Sequence, residues 1–177
     1  MKKISVNIAG LFAIALLGAC SSTPMKAPDA PAAVTVPAGN KMVMSALGVG
    51  DLTYECRAKA NAADGFEWAF VGPVAVLCDG QKAAVGKYYS GPTWESNDGS
   101  KVTGKQIAVA PNKPGSIPLQ LVQANPATGN GAMTGITYIQ RLNTEGGVAP
   151  AEVCAAGNAG TKQTVKYQAD YVFYKAS

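Results

Sequence analysis

The chain has 177 residues, with 15 Lys and Arg against 11 Asp and Glu, 20 Gly, 11 Pro and no His. Without His there is no Ser-His-Asp or Cys-His nucleophile system, no His-ligated zinc and no His-ligated haem, so an enzyme here would have to use carboxylates, Lys, Tyr or a cofactor. The Lys residues are scattered singly rather than clustered on the basic face that nucleic-acid binding requires, and no nucleic-acid partner is expected.

The N-terminus reads as a targeting segment. Lys2 and Lys3 supply a positive start, residues 8–19 are apolar or small, and Leu17-Gly18-Ala19 leads into Cys20. That order describes a secretory signal peptide, and its apolar stretch is shorter than the roughly 20 residues needed to cross a bilayer. A Cys directly after Gly-Ala resembles the lipobox of bacterial lipoproteins, whose diacylglycerol is attached to sulfur. Cys20 is therefore expected to become the lipidated first residue of an exported protein whose partner is the membrane. Acyl chains contribute about 0.8 kcal/mol per buried CH₂, so several of them make a lasting anchor. Ser21 rather than Asp after the Cys favours the outer membrane, where the cell has one. Removing residues 1–19 leaves 158 of the 177, enough for one domain with its own core. Losing Lys2 and Lys3 takes the 15 basic residues to 13 against 11 acidic ones, a net of about +2.

Residues 20–40 carry the anchor and then Pro24, Pro28, Pro31 and Pro37 interleaved with Ala. This composition predicts a semi-extended tether reaching up to roughly 60 Å, with Val34 and Val36 leaving open an edge strand packed on the domain. From residue 41 to 177 the pattern changes to short β-like runs. Leu52, Tyr54 and Cys56 alternate with polar neighbours, as do Phe66, Trp68 and Phe70. Residues 73–78 form a short, fully apolar run, and 83–89, 106–110, 117–124 and 136–142 are further candidates. In 164–174, Val165, Tyr167, Ala169, Tyr171 and Phe173 share one face. No useful helical spacing appears outside the signal. The fold expected is all-β, a single sandwich or barrel of short, mainly antiparallel strands.

Three Cys remain after Cys20. In an oxidising compartment one pair and one leftover thiol are expected. Cys56 and Cys154 lie in polar, turn-like surroundings and Cys78 in an apolar run, which favours a Cys56–Cys154 bridge. No metal or cofactor is expected: the three thiols lack C-x-x-C spacing, and no D-x-D-x-D-G calcium ladder is present.

Two segments combine chemistry-bearing residues. Gly91-Pro-Thr-Trp-Glu-Ser-Asn-Asp-Gly-Ser100 joins a Gly-Pro break to a Trp, two carboxylates and an Asp98-Gly99 turn. As a loop it would let Trp94 stack on a sugar or other flat ligand while Glu95, Asn97 and Asp98 donate or accept hydrogen bonds; alternatively Trp94 caps the core and Asp98 bonds its own turn. In residues 139–154 a strand runs through a Gly-Gly turn to Cys154. There Arg141 is expected to pair with a carboxylate such as Glu145 or Glu95, or to bind an anion through its fork. Tyr88 stands close by in sequence as a further candidate ligand contact.

Taken in order, GPTWESNDGSKVTG (91–104), IQRLNTEGGVAP (139–150) with Cys154, and YQADYVFY (167–174) resemble a family of exported domains of unknown function found in bacteria and fungi. The resemblance covers about residues 40–175. It implies one β-rich secreted domain with Cys56 and Cys154 at the family's usual Cys positions, and brings no activity or catalytic residue. Members often have a His before the GPTW motif, where this chain has Tyr88, and a Trp where it has Leu119.

The function expected is that of a lipid-anchored envelope protein acting as a non-enzymatic module that binds a glycan or an envelope protein. The alternatives are a carboxylate-based hydrolase of polysaccharide, using Glu95 and Asp98, and a purely structural envelope component. Two acids in one tight turn rarely face each other across a substrate, which disfavours the hydrolase.

Overall fold

The computed structural model describes residues 25–60 and 65–177; the expected signal peptide and Cys20 lie outside them. Eight antiparallel strands follow one another around a closed barrel. They are β1 (Asn40–Ala58), β2 (Phe66–Cys78), β3 (Ala84–Tyr89), β4 (Thr93–Ser96), β5 (Lys101–Ala110), β6 (Leu119–Ala124), β7 (Ile136–Gly146) and β8 (Lys162–Ala176). Of the two expected architectures, sandwich and barrel, this is the barrel.

Closure comes from β1, which pairs with β2 on one side and with β8 on the other, from Asn40 opposite Ala176 to Glu55 opposite Lys162 with one register shift between Met42 and Met44. Period-two alternation turns Leu52, Tyr54, Ala75, Leu77, Tyr88, Trp94, Val102, Val122, Ile139, Tyr167, Ala169, Tyr171 and Phe173 inward into one core. Residues 66–70 and 73–78, which the sequence separates at Gly72-Pro73, belong to one strand. The register shifts at Thr53/Tyr54, leaving Val71 as an extra residue opposite β1. A bulge is one of the few places where a strand tolerates a residue without an N–H, which accommodates Pro73 beside it.

The stretch before β1 is more than a tether. Ala32–Val34 forms a single 3-10 turn, and Val34 is fully buried on the outside of the barrel against Ala110, Leu119, Leu121, Leu142 and Val172. Gln140 Nε2 donates to the Val34 carbonyl at 2.6 Å, and Tyr174 Oη donates to Gln140 Oε1 at 2.6 Å. These outward positions of β5 to β8 are apolar because this segment covers them. N-terminal to the turn, Lys26 and Pro28 share a shallow groove with Met42, Cys78, Asp79 and Gly80 at the end of the barrel where β1 begins. The buried residues of both cores and the paired strands lie within residues 34–176, with Ala30 packed against the outer core, so a chain that begins at residue 21 keeps every one of these contacts.

Cys56 and Cys154 form the disulfide, with Cα atoms 5.5 Å apart, and Cys78 is unpaired on the outer face of β2. The bridge ties the long β7–β8 connection to the end of β1. Trp68 Nε1, donating to the Glu152 carbonyl at 2.8 Å, and Tyr54 Oη, donating to the Gly147 carbonyl at 2.7 Å, hold the same connection.

Val34→Ala removes two buried methyl groups and loosens the covering segment. It should lower the unfolding free energy of the 21–177 chain by about 2 kcal/mol in denaturant titration while leaving the far-ultraviolet dichroism unchanged.

Candidate functional site

The two ends of the barrel differ. At the end where β1 begins, the β4–β5 turn and the β6–β7 connection close the tube. Asp98 accepts from the backbone N–H and the hydroxyl of Ser100 at 2.9 and 2.6 Å and from the N–H of Ala132 at 2.7 Å. Ser100, itself fully buried, accepts from the Met133 N–H at 3.1 Å, and Met133 plugs the interior. Gly99, with φ +85°, allows the tight turn that aims the Asp98 carboxylate inward along its own chain. Hydrogen bonds to Ser100 and Ala132 hold the carboxyl down to about pH 2.

At the other end the filling stops short of the mouth and leaves a cavity of about 400 Å³. Its floor is aromatic. Tyr88 stacks on Trp94 with ring centres 4.8 Å apart and planes 23° apart, and Tyr171 packs edge-on against Trp94 at 5.8 Å. The Tyr167 and Tyr171 hydroxyls are 3.2 Å apart. One wall and the rim are apolar: Tyr54 meets Phe70 edge-to-face at 5.6 Å, and Phe70 is more than half exposed at the opening. The opposite wall, on β5, β6 and β7, carries the polar groups, with Gln120 bonded to Gln106 and beside Arg141 in register, above Ile117 and Val122. Gly104 keeps the space between the walls, since a Cβ there would lie 2.5 Å from the Val122 side chain.

The candidate residues taken from the sequence separate into three places. Tyr88 and Arg141 line the cavity. Trp94 is 1% exposed and lies beneath Tyr88, away from the lining, because residues 93–96 form a strand rather than a loop and Trp94 is an inward position of it. Of the two readings the sequence offers for Trp94, a ligand platform or a cap on the core, the geometry agrees with the second: Tyr88, not open space, lies on its face. Glu95, next along β4, necessarily points outward. There it accepts from the Tyr89 hydroxyl at 2.7 Å and bridges Lys87 and Lys101, each at 3.3 Å, and these contacts, the Tyr89 bond first, lower its pKa. Asn97 prolongs the β3–β4 pairing by donating to the Ala84 carbonyl at 2.7 Å, and Asp98 staples the closed end. The hydrogen-bonding set Glu95, Asn97 and Asp98 is thus occupied with the barrel itself.

Arg141 does not pair with Glu145 or Glu95. It faces inward, whereas Glu145, past the register shift between Leu142 and Glu145, is outside with Lys113 at 2.9 Å and Gln168 at 2.8 Å. One Nη of Arg141 donates to the Pro118 carbonyl at 2.9 Å. Its Nε is buried and has no hydrogen-bond partner among the described residues. Burial pushes the Tyr54, Tyr88 and Tyr171 hydroxyls above their ordinary value and Tyr167 up to about 12; the Arg141 charge opposes each shift without cancelling it. The phenols therefore stay neutral at physiological pH. Sequence reasoning missed Tyr54, Phe70, Gln106 and Gln120, which gather only when β1–β2 and β5–β6 face each other across the lumen.

The fold and the site define an eight-stranded up-and-down barrel with one end sealed and an internal cavity at the other. The chain belongs to the family described as Protein of unknown function (DUF3455), whose model matches residues 37–175. No curated protein and no solved structure matches it.

Trp94→Ala should cost about 3–5 kcal/mol of stability, since it removes a fully enclosed aromatic from the floor; a near-neutral result in denaturant titration would place Trp94 outside the core. Asp98→Asn should lower the melting temperature at pH 7. Because the folded pKa of Asp98, about 2, is below its ordinary 3.8, the stabilisation is complete above pH 4 and is lost as the pH falls through 2. The melting curves of the variant and the parent should therefore converge toward pH 2.

Proposed function

We propose that this protein is a lipid-anchored envelope module that binds a small, largely apolar molecule inside its barrel. The observation that carries this reading is the cavity: about 400 Å³, open at one end, apolar and aromatic on one side with a few convergent polar groups on the other. Those are the dimensions and composition of small-molecule sites, and eight-stranded barrels are just wide enough to be filled or to hold one ligand. Here the sealed half is filled and the open half is not. A rim fixed by the disulfide and by the Trp68 and Tyr54 hydrogen bonds supports a preformed site, which limits the ordering cost of binding.

Export and lipidation enter from the Leu17–Cys20 pattern. Lys26 lies beside Gly80, at the sealed end. A lipid on Cys20, six residues earlier, would put that end toward the membrane and turn the mouth away from it. The ligand would then arrive from the aqueous side. The hydrolase alternative finds no support in the site, where none of the described residues lining the cavity is acidic.

The test is titration of the 21–177 chain with N-phenyl-1-naphthylamine, a neutral probe that fluoresces in apolar surroundings. Saturable one-to-one binding with loss of tryptophan emission is expected, because Trp94 lies directly under the floor. Gln106→Trp, which fills the cavity from the mouth, should abolish it. Absence of saturable binding to the parent protein would refute the reading.

A further inference from the structure

Resting on that reading, we propose that the ligand is an organic anion, a monocarboxylate with an apolar body, whose head group is taken by Arg141. Four observations converge on this. Arg141 is the only charged side chain lining the cavity among the described residues. It has no acidic partner among the described residues: Glu145 and Glu95, the two carboxylates the sequence offers it, are on the outer face with Lys113, Lys87 and Lys101. A single carbonyl, that of Pro118, engages one of its Nη atoms, while the buried Nε is left with a free donor. The surrounding hydroxyls, held neutral by burial, supply no countercharge.

A guanidinium keeps its charge in proteins, and a charge set into a low-dielectric lumen without a counterion is unfavourable. An anion with two coplanar oxygens meets this arrangement best. It takes Nε–H and an Nη–H together in the fork geometry that favours carboxylates. Gln120, opposite Arg141 across β6–β7, stands beside that position. From there the body of the ligand would extend over Tyr88 toward Tyr54 and Phe70, where the wall is aromatic and apolar. The cavity thus has its cationic and amide groups along β5–β7 and an apolar wall along β1–β3, the asymmetry of an amphipathic occupant rather than of a hydrocarbon or a glycan.

A matched probe pair separates this inference from the cavity reading. 8-Anilino-1-naphthalenesulfonate is N-phenyl-1-naphthylamine with one anionic oxygen head added. The 21–177 chain should bind the sulfonate about tenfold or more tightly than the neutral amine, the effect of a hydrogen bond to a charged group. 2-Naphthoate should displace the sulfonate at a concentration about tenfold or more below that at which the neutral 2-naphthalenemethanol does so. In Arg141→Met the ratio of the two affinities should fall to near one, and Arg141→Lys, which keeps the charge but not the fork, should retain part of it. Melting curves of the variants confirm that each is folded, and the ratio itself is insensitive to a general loosening of the barrel. Equal affinity of the parent for both probes, or a ratio that survives Arg141→Met, would overturn the anion proposal while leaving the apolar cavity standing. Failure of both probes to bind would overturn the cavity reading and this proposal with it.

Discussion

Closure of the sheet on itself, β1 against β8, is the constraint from which the rest of the structure follows. An open sheet would leave two rows of unpaired backbone groups and one apolar face needing another layer. Joining the first strand to the last removes both problems and creates an inside. Eight strands leave a lumen about as wide as two side chains, so whether a given level is solid or hollow depends on a few residues. Below, Trp94, Tyr171, Phe173 and Met133 fill it completely. Above, Gly104 at an inward position and the Gly72–Pro73 bend leave room.

The hollow level is also where the electrostatics are unbalanced. On the outer surface several charges have opposite partners: Glu95 between Lys87 and Lys101, Asp51 with Lys166, Glu55 with Arg57. Such exposed pairs contribute little to stability individually. Inside, a guanidinium sits among neutral phenols and amides. A stability-driven sequence would place an apolar residue at that inward position of β7. Arg141 is set apart from the other charges by the site, not by the fold.

Much of the barrel is legible in the sequence where one face is dry and the other wet. The second half of β1, the first half of β2 and β8 announce themselves by alternation, the second half of β2 by its unbroken apolar run, and the Cys56–Cys154 pairing follows from the setting of the thiols. Three features are hidden for identifiable reasons. The first half of β1 shows no alternation, because its outward positions Leu47 and Val49 are themselves apolar and its register slips at Met42/Met44. Strand β4 is only four residues between two turn signals, so local composition reads as loop and puts Trp94 on the surface. Val34 lies in Pro-rich chain that reads mainly as a tether; the spacing of Val34 and Val36 leaves packing open as an edge strand, but not the 3-10 turn that sets Val34 on the outer positions Leu119, Leu121, Leu142 and Val172. The site is less legible still. Alternation cannot carry Arg141 and Glu145 to opposite faces without knowledge of the shift between them, and Gln106 and Tyr54 become neighbours of one cavity only through closure.

The pairing of the first strand with the last also governs when the barrel can exist. β1 is complete at Ala58, but its partner begins only at Lys162, about a hundred residues later. At a synthesis rate of about 5–20 residues per second, roughly 5–20 s pass in which β1 has β2 on one side and nothing on the other. Contacts so distant in sequence are formed late and slowly, and the unpaired edge, with Leu47 and Val49 exposed beside it, can be captured by another chain meanwhile. The same closure that protects the finished molecule from edge-to-edge association therefore makes the unfinished chain the vulnerable species, with a folding yield more dependent on concentration and on chaperone cover than its native stability would indicate.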